Sequence, residues 1–298
     1  MSHFDNILVA IDFKATEQAE IDHAINLAKM HQAKLTFMSV IPELPRDAYL
    51  EISAMSPEQR LKHQLEQRME QLEIVSQCAI QDTGIKTECI AVSGIPSVEI
   101  IKQVMRNNHD LLMIAERENN SVLKNKLMGS TARELLRKAP CPVLAVHPQS
   151  LRDYKRIIAT INVSEQKGVN SENLNQTIVS NAIFIAEADK SALSIVSIMP
   201  PEASKTSYME KIKSCLNSNN VIIDDENIHV EVGEPAQVII DATLTHKTDL
   251  LVMGMLSRTG IQGFFIGNTV EKVLDMVECS ILTIKPAEFV SPIKLNDE

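Results

Sequence analysis

The sequence predicts an α/β protein built from two tandem copies of one doubly wound domain, each with a five-stranded parallel sheet. Three observations support this. Long segments of the chain repeat in the same order. Within each copy, short apolar runs alternate with stretches of helical period, which is typical of parallel sheets covered by helices. The 298 residues are also enough for two hydrophobic cores.

Four pairs of segments carry the repeat and keep their order along the chain. They are NILVAID (6–12) with RIIATIN (156–162), KLTFMSVIPE (34–43) with ALSIVSIMPPE (192–202), GIPSVEIIKQVMRNNHDLLMIA (94–115) with GEPAQVIIDATLTHKTDLLVMG (233–254), and GSTARELLRKAPCPVLAV (129–146) with GNTVEKVLDMVECSILTI (267–284). The chain is therefore divided into a first domain (1–147), a linker (148–153), a second domain (154–286) and a polar tail (287–298) that lacks a hydrophobic period and could be disordered.

Each copy is predicted to run β-α-β-α-β-α-β-α-β. Helix 16–32 turns an apolar face inward, and Pro57 and Pro96 stand where helices start, because proline is tolerated in a first turn. The expected strands of the first copy are 6–12, 34–41, 86–92, 110–115 and 142–147, with helices at 16–32, 57–83, 96–108 and 130–138. In such sheets the ligand site lies at the carboxyl ends of the strands.

Composition excludes several classes of function. The formal net charge is −10, there is no Trp, and aromatic residues make up only 3% of the chain, which argues against nucleic-acid binding. No apolar run is long enough for a membrane span, and the N-terminus reads as a strand rather than a signal peptide. The five cysteines form no CxxC pair, so we expect reduced thiols and a cytoplasmic protein.

The most informative stretch is Leu250–Thr269, in which an apolar strand leads into a glycine-punctuated loop and then into a helix. This order presents backbone N–H groups and a helix dipole to a phosphate group. We therefore hypothesise a nucleotide site in the second copy. The alternative is a glycine-rich connection that binds nothing.

With these residues placed, the chain resembles the universal stress protein family over nearly its whole length, in two copies. The family's ATP signature is G-x2-G-x9-G-[ST] after the fourth strand. Here Gly254, Ser257, Gly267 and Asn268 keep its spacing, with Ser257 and Asn268 as departures. SRTG followed by FIGNT, together with Asn162, is most similar to the tandem E type of proteobacteria. The implied fold is of the adenine-nucleotide α-hydrolase (HUP) class.

The resemblance implies a binding residue at each family motif position. In the second copy these are Asn162, Ile198, Met253, Gly254, Ser257, Gly267, Asn268, Thr269 and Val270, and Arg258 adds a tenth candidate as a positive charge nearby. In the first copy they are Asp12, Val40, Gly129, Ser130 and Thr131, where the front half of the loop departs from the motif.

The second copy is the better candidate for a nucleotide. Asn162 and Asn268 keep polar groups that could face ribose or phosphate. In the first copy Glu116 and Glu118 would bring carboxylates towards a polyphosphate, and one pair about 5 Å apart costs on the order of 3 kcal/mol at an effective dielectric of about 20. Lys124 and Lys126 could offset this. An empty or differently occupied pocket stays open for both copies.

The other candidates favour structural roles. Cys141 and Cys279 are repeat equivalents and read as packing positions. The eight histidines show no zinc spacing, so no metal site is predicted. The charged helix Glu58–Glu73 has an apolar stripe that is either a solvated helix's inner face or a cover for a pocket or partner. We identify no catalytic residue.

The favoured function is a cytoplasmic, non-catalytic stress-response protein that binds ATP, with or without Mg²⁺, in its second domain and acts through conformation or partner binding. The alternatives are a slow Mg-dependent ATPase, and a nucleotide-free scaffold or binder of an apolar metabolite in the first domain. The last strands of the copies are expected to pair within the chain as a pseudo-dimer. A homodimer stays open, and no membrane or nucleic-acid partner is expected.

Overall fold

The computed structural model describes residues 4–13, 18–43, 56–116, 128–150, 153–164, 171–218, 221–255 and 267–295. In the first half, the strands are β1 (Asn6–Ala10), β2 (Lys34–Pro42), β3 (Thr87–Gly94), β4 (Leu111–Ala115) and β5 (Val143–Val146), and the helices are α1 (Ala19–His31), α2 (Pro57–Thr83), α3 (Pro96–Asn107) and α4 (Ser130–Lys138). In the second half, the strands are β6 (Arg156–Thr160), β7 (Ala192–Ile198), β8 (Ile228–Glu231), β9 (Leu250–Gly254) and β10 (Ser280–Ile284), and the helices are α5 (Ser171–Asp189), α6 (Lys205–Asn217), α7 (Pro235–Thr245) and α8 (Asn268–Met276).

The ten strands of the described residues form one sheet, in the order β3-β2-β1-β4-β5-β10-β9-β6-β7-β8. Pairing is parallel within each half, and β5 meets β10 antiparallel at the centre. The predicted α/β class with two doubly wound copies is confirmed. In the first half, the strands that follow β1 are added first on one side of it (β2, β3) and then on the other (β4, β5), so the order of the strands switches between β1 and β4. The same switch lies between β6 and β9 in the second half. These are the two positions where ligands bind in open parallel sheets.

Two apolar layers cover the sheet. Alternating strand side chains turn to opposite faces, so Ile7 and Val9 join the layer under α1, α2, α5 and α6, while Leu8 joins the layer under α3, α4, α7 and α8. Each layer contains buried residues from both halves. The halves therefore share a core as well as a sheet.

The repeat is preserved in backbone detail. Gln32 and Lys190, which follow α1 and α5, have φ of 56° and 55°. Asp110 accepts hydrogen bonds from the backbone N–H groups of Asp5 (2.7 Å) and Asn6 (3.1 Å) at the start of β1. In the second half Asp249 does the same for the residues that lead into β6. The duplication thus extends to the residues that fix strand register.

Two differences from the sequence-based expectations concern the chain ends of elements. β1 stops at Ala10 rather than at Asp12. The N–H of Ile11 still donates to the Met38 carbonyl (2.8 Å), and the chain leaves the sheet after that hydrogen bond. The tail has no helix or strand through residue 295, yet Ile293 packs against the apolar layer, so the described part is held on the fold. No described helix is long and apolar enough to cross a membrane.

Candidate ligand cavities at the two switch points

Each half has a cavity at the carboxyl ends of its strands, at the switch point. The first-half cavity has a volume of about 510 Å³ and the second-half cavity about 540 Å³. Both lie in the range typical of small-molecule sites, about 300–1,000 Å³. The two cavities occupy equivalent positions in the repeat but differ in the charges of their walls.

The second-half cavity brings together the described residues that the family resemblance implied. Eight of the ten lie on its wall: Asn162, Ile198, Met253, Gly254, Gly267, Asn268, Thr269 and Val270. They come from the ends of β7 and β9, the loop after β6, and the start of α8. Ser257 and Arg258 fall outside the described residues.

Asn162 is held in a fixed orientation by two neighbours. Its backbone N–H donates to Asn175 Oδ1 (3.1 Å), and Asn175 Nδ2 donates back to the Asn162 carbonyl (2.7 Å). Its own Oδ1 accepts from the Ser164 N–H at 3.0 Å and from the Ser164 hydroxyl. Since this amide oxygen already accepts two hydrogen bonds in the local turn, Nδ2 is the group of the Asn162 side chain that is left to bind a ligand.

The two described glycines of the motif have different reasons for lacking a side chain. A Cβ at Gly254 would stand 2.9 Å from Leu174 Cδ2 and 3.0 Å from Ile178 Cδ1, so α5 fills that space. A Cβ at Gly267 would meet nothing within 4 Å, and its φ is −63°. A side chain at Gly254 would therefore have to displace the ends of Leu174 and Ile178, whereas Gly267 leaves room on the cavity wall.

The start of α8 is open towards the second-half cavity. Gly267 is its N-cap, and no side chain caps the first turn. The N–H groups of a helix's first turn have no partner within the helix and favour an anion. The described wall of this cavity contains no Asp, Glu, Lys, Arg or His. The described part of the wall is thus neutral and largely apolar, with the first-turn N–H groups of α8 at one end.

The first-half cavity contains all five residues that the resemblance implied, namely Asp12, Val40, Gly129, Ser130 and Thr131. It also contains Arg68 from α2, which sequence reasoning missed. Phe13 lies beside it, with the guanidinium carbon 4.8 Å from the ring centroid. The charged helix therefore reaches the cavity, in line with the pocket-covering alternative considered for that helix.

The structure does not support the expected repulsion between Glu116 and a polyphosphate in the first-half cavity. Glu116 is 6% exposed, its N–H donates to the Val146 carbonyl (2.8 Å), and it is not part of the described cavity wall. It extends the β4–β5 pairing beyond the strand end and is buried there. Glu118, Lys124 and Lys126 fall outside the described residues.

Asn175, Ser164 and Arg68 were not predicted as site residues because their sequence signals are weak. Asn175 and Ser164 orient Asn162, but isolated Asn and Ser residues near a helix start are common. Arg68 is one of several charges on a charged helix. Its position could have been inferred only from the path of α2 over the end of β2.

Metal and thiol chemistry find no support in the described part of the chain. No group of three or more His, Cys, Asp or Glu side chains could hold a metal there. The five cysteines form no disulfide, and Cys141 and Cys279 are buried, as expected of packing positions. Burial raises the pKa of the Cys141 thiol to about 12, so it stays protonated at neutral pH.

Comparisons with known proteins agree with this architecture. The family model described as "Universal stress protein family" matches residues 3–147 and 168–285. Universal stress protein E of Photorhabdus laumondii is 27% identical over 322 residues, covering 100% of both chains. Its Escherichia coli K12 counterpart is 26% identical and covers 100% of this chain and 99% of its own.

Solved structures support the same fold over the whole chain. A Pseudomonas aeruginosa protein of unknown function has a TM-score of 0.74 at 23% identity, covering 96% of this chain and 94% of its own. A universal stress protein from Archaeoglobus fulgidus has a TM-score of 0.72 at 19% identity, covering 95% and 98%. The chain therefore belongs to the universal stress protein family and carries two tandem copies of its domain.

Proposed function

We propose that the protein acts in stress response by binding ATP or a related adenine nucleotide in the second-half cavity. The observation that carries the proposal is the meeting of eight motif-equivalent residues around one cavity of about 540 Å³, with the uncapped start of α8 at its end. The base would lie between Ile198 and Met253, and the phosphates would face the N–H groups of Asn268 and Thr269. Bound nucleotide would then bias conformation or partner binding.

The residues fit a nucleotide better than they fit a metal. Gly267 leaves space where a polyphosphate would approach, and the neutral wall adds no repulsion. The described wall offers no carboxylate for Mg²⁺, so a metal would be held by the phosphates and water. Mg²⁺ is therefore a companion of the nucleotide in this proposal.

Binding is favoured over hydrolysis. Phosphoryl transfer to water needs a residue that orients the water or accepts its proton. The described wall contains no carboxylate, imidazole or amine that could do so. Slow ATPase activity is the second candidate, and single-turnover assays test it with Gly267→Val as the control for contaminating enzymes.

A pair of glycine variants tests nucleotide binding. Gly267→Val places a branched side chain on the wall of the second cavity, and Gly129→Val makes the equivalent change in the first. Both sites have open space and negative φ, so both variants are expected to fold. We expect Gly267→Val to weaken ATP binding about tenfold or more, since overpacking costs about 1–3 kcal/mol.

Isothermal titration of the full chain with ATP provides the measurement. Gly129→Val should bind as the unmodified protein does. Equal weakening by both variants, or none by Gly267→Val, would remove the second cavity as the ATP site. Gly254→Val is unsuitable for this test, because its side chain would collide with α5 and disturb the fold.

We place the protein in the cytoplasm as part of the same proposal. Support comes from the absence of disulfides among its five cysteines, since reducing compartments keep thiols from forming them. Fractionation of cells that express the chain tests this location.

A further inference from the structure

Arg68 gives the first-half cavity a cation, whereas the described wall of the second-half cavity contains none. Its side chain lies on the cavity wall, partly buried, with its guanidinium against the ring of Phe13. No carboxylate among the described residues forms an ion pair with it. On the same helix, Lys62 pairs with Glu66 at 3.9 Å and is well exposed. Arg68 is thus a cation that faces a cavity without a counter-ion from the described chain.

The guanidinium of Arg68 is partly desolvated where it lines the cavity. Burial lowers the pKa of the guanidinium, and no nearby acid raises it again. Arginine nevertheless stays charged at neutral pH. A partly desolvated cation is stabilised most by an anion that enters the same low-dielectric space.

The rest of the cavity defines the shape and charge of a suitable ligand. Ser130 and Thr131 lie at the start of α4, a nine-residue helix whose first turn has no side-chain cap. Ile11, Val40 and Ile114 are apolar parts of the wall. Asp12 on the same wall disfavours the larger negative charge of a polyphosphate more than that of a single carboxylate or phosphate monoester. One oxyanion on an apolar body matches all three features.

We propose that the first-half cavity binds a small organic oxyanion, a carboxylate or a phosphate monoester on an apolar body, with Arg68 as its counter-ion. The two halves then bind different ligands at equivalent positions. The difference arises from α2, which has 27 residues against 13 in its counterpart α6. This site goes beyond the nucleotide proposed for the second half and does not depend on it.

Three aromatic probes of similar size test the charge requirement. Benzoate and phenyl phosphate carry the two candidate oxyanions, and benzyl alcohol is the neutral control. Binding to the full chain is followed through isoleucine methyl NMR signals. Ile100 and Ile114 report on the first cavity, while Ile198 and Ile239 report on the second. A probe that binds in the second cavity would therefore be distinguished from one that binds in the first.

We expect one or both anions to shift the Ile100 and Ile114 signals, and benzyl alcohol to bind at least about tenfold more weakly, as a charge-assisted contact is worth about 1.5–3 kcal/mol. Which anion binds better distinguishes carboxylate from phosphate. Arg68→Met should lose about tenfold in affinity, Arg68→Lys should keep part of it, and Lys62→Met should change nothing. Binding that survives in Arg68→Met, equal binding of benzyl alcohol, or no response at Ile100 and Ile114 to either anion would overturn the proposal.

Discussion

Single buried charges show where the two copies have diverged. Glu20 is fully buried in α1, and its carboxylate has no hydrogen-bond partner from another described residue. Burial, with a smaller contribution from Asp22, raises its pKa to about 7. Counting back from the equivalent residues Gln32 and Lys190, the counterpart of Glu20 in α5 is Ile178, which packs beneath Gly254. The first half thus places an acid where the second places a hydrocarbon.

Glu20→Gln is expected to make the protein more stable at pH 8 and its stability less dependent on pH. An acid whose folded pKa is raised stabilises the fold only while it is protonated, and this contribution is lost as pH rises from about 4.5 through about 7. The lost stability is on the order of 3 kcal/mol. Urea unfolding at pH 5 and pH 8 measures it. A variant with the same pH dependence as the unmodified chain would show that Glu20 does not carry the effect.

At the scale of elements, α4 and α8 are joined by charges that complement each other across the repeat. Arg133 pairs with Glu271 (3.4 Å) and with Asp275, and Arg137 pairs with Glu271. Arg133 is the repeat equivalent of Glu271, and Arg137 that of Asp275. Arg133 Nε also donates to the Met128 carbonyl (3.0 Å), beside the first cavity. After duplication, one helix thus became basic and the other acidic where they meet.

Reversing the charges of α4 alone, with Arg133→Glu and Arg137→Glu, is expected to destabilise the chain by about 1–3 kcal/mol, because four carboxylates would meet. Adding Glu271→Arg and Asp275→Arg should restore most of the loss. The free energy of unfolding in urea is the measurement. If the quadruple variant is as unstable as the double variant, the ion pairs do not account for the contact between these helices.

Much of the element layout was predictable because hydrophobic period and turn residues act locally. The range predicted for α2 (57–83) agrees with the structure, helped by Pro57 and by the Ser56 capping box. The motif placed Gly267 and Asn268 together, and both lie on the wall of the second-half cavity. Arg68, Asn175 and the buried position of Glu116 were not, because each depends on how distant elements cross, which local pattern does not encode.

At the scale of the molecule, the antiparallel β5–β10 pair makes one structure of two copies. This pair forms the seam between the halves, where β10 residues Thr283, Leu282 and Ile281 lie opposite Val143, Leu144 and Ala145 of β5. Phe4 of the first half and Phe184 of the second also meet edge to face, with ring centroids 5.3 Å apart. Both apolar layers continue across the seam. Neither half is therefore an independent folding unit in this account.

Leu282→Ala is expected to lower the stability of both halves together. Removing a fully buried leucine costs about 2–5 kcal/mol, and this one lies opposite Leu144 in the other half. Hydrogen exchange is measured at increasing urea concentration in peptides from β1 and β6. Both peptides should report the same unfolding midpoint, and the substitution should lower it equally in both. Two separate midpoints, with only the second half affected, would show that the halves unfold independently.

The central claim is that the second-half cavity holds an adenine nucleotide, and the most direct measurement is of what the purified protein carries. Freshly purified chain is denatured, and the released small molecules are identified by chromatography and mass spectrometry. We predict near one ATP or ADP per chain, lost in Gly267→Val and retained in Gly129→Val. Absence of nucleotide, together with no ATP binding at millimolar concentration, would contradict the claim and leave Asn162 and Asn268 as parts of a cavity for another ligand.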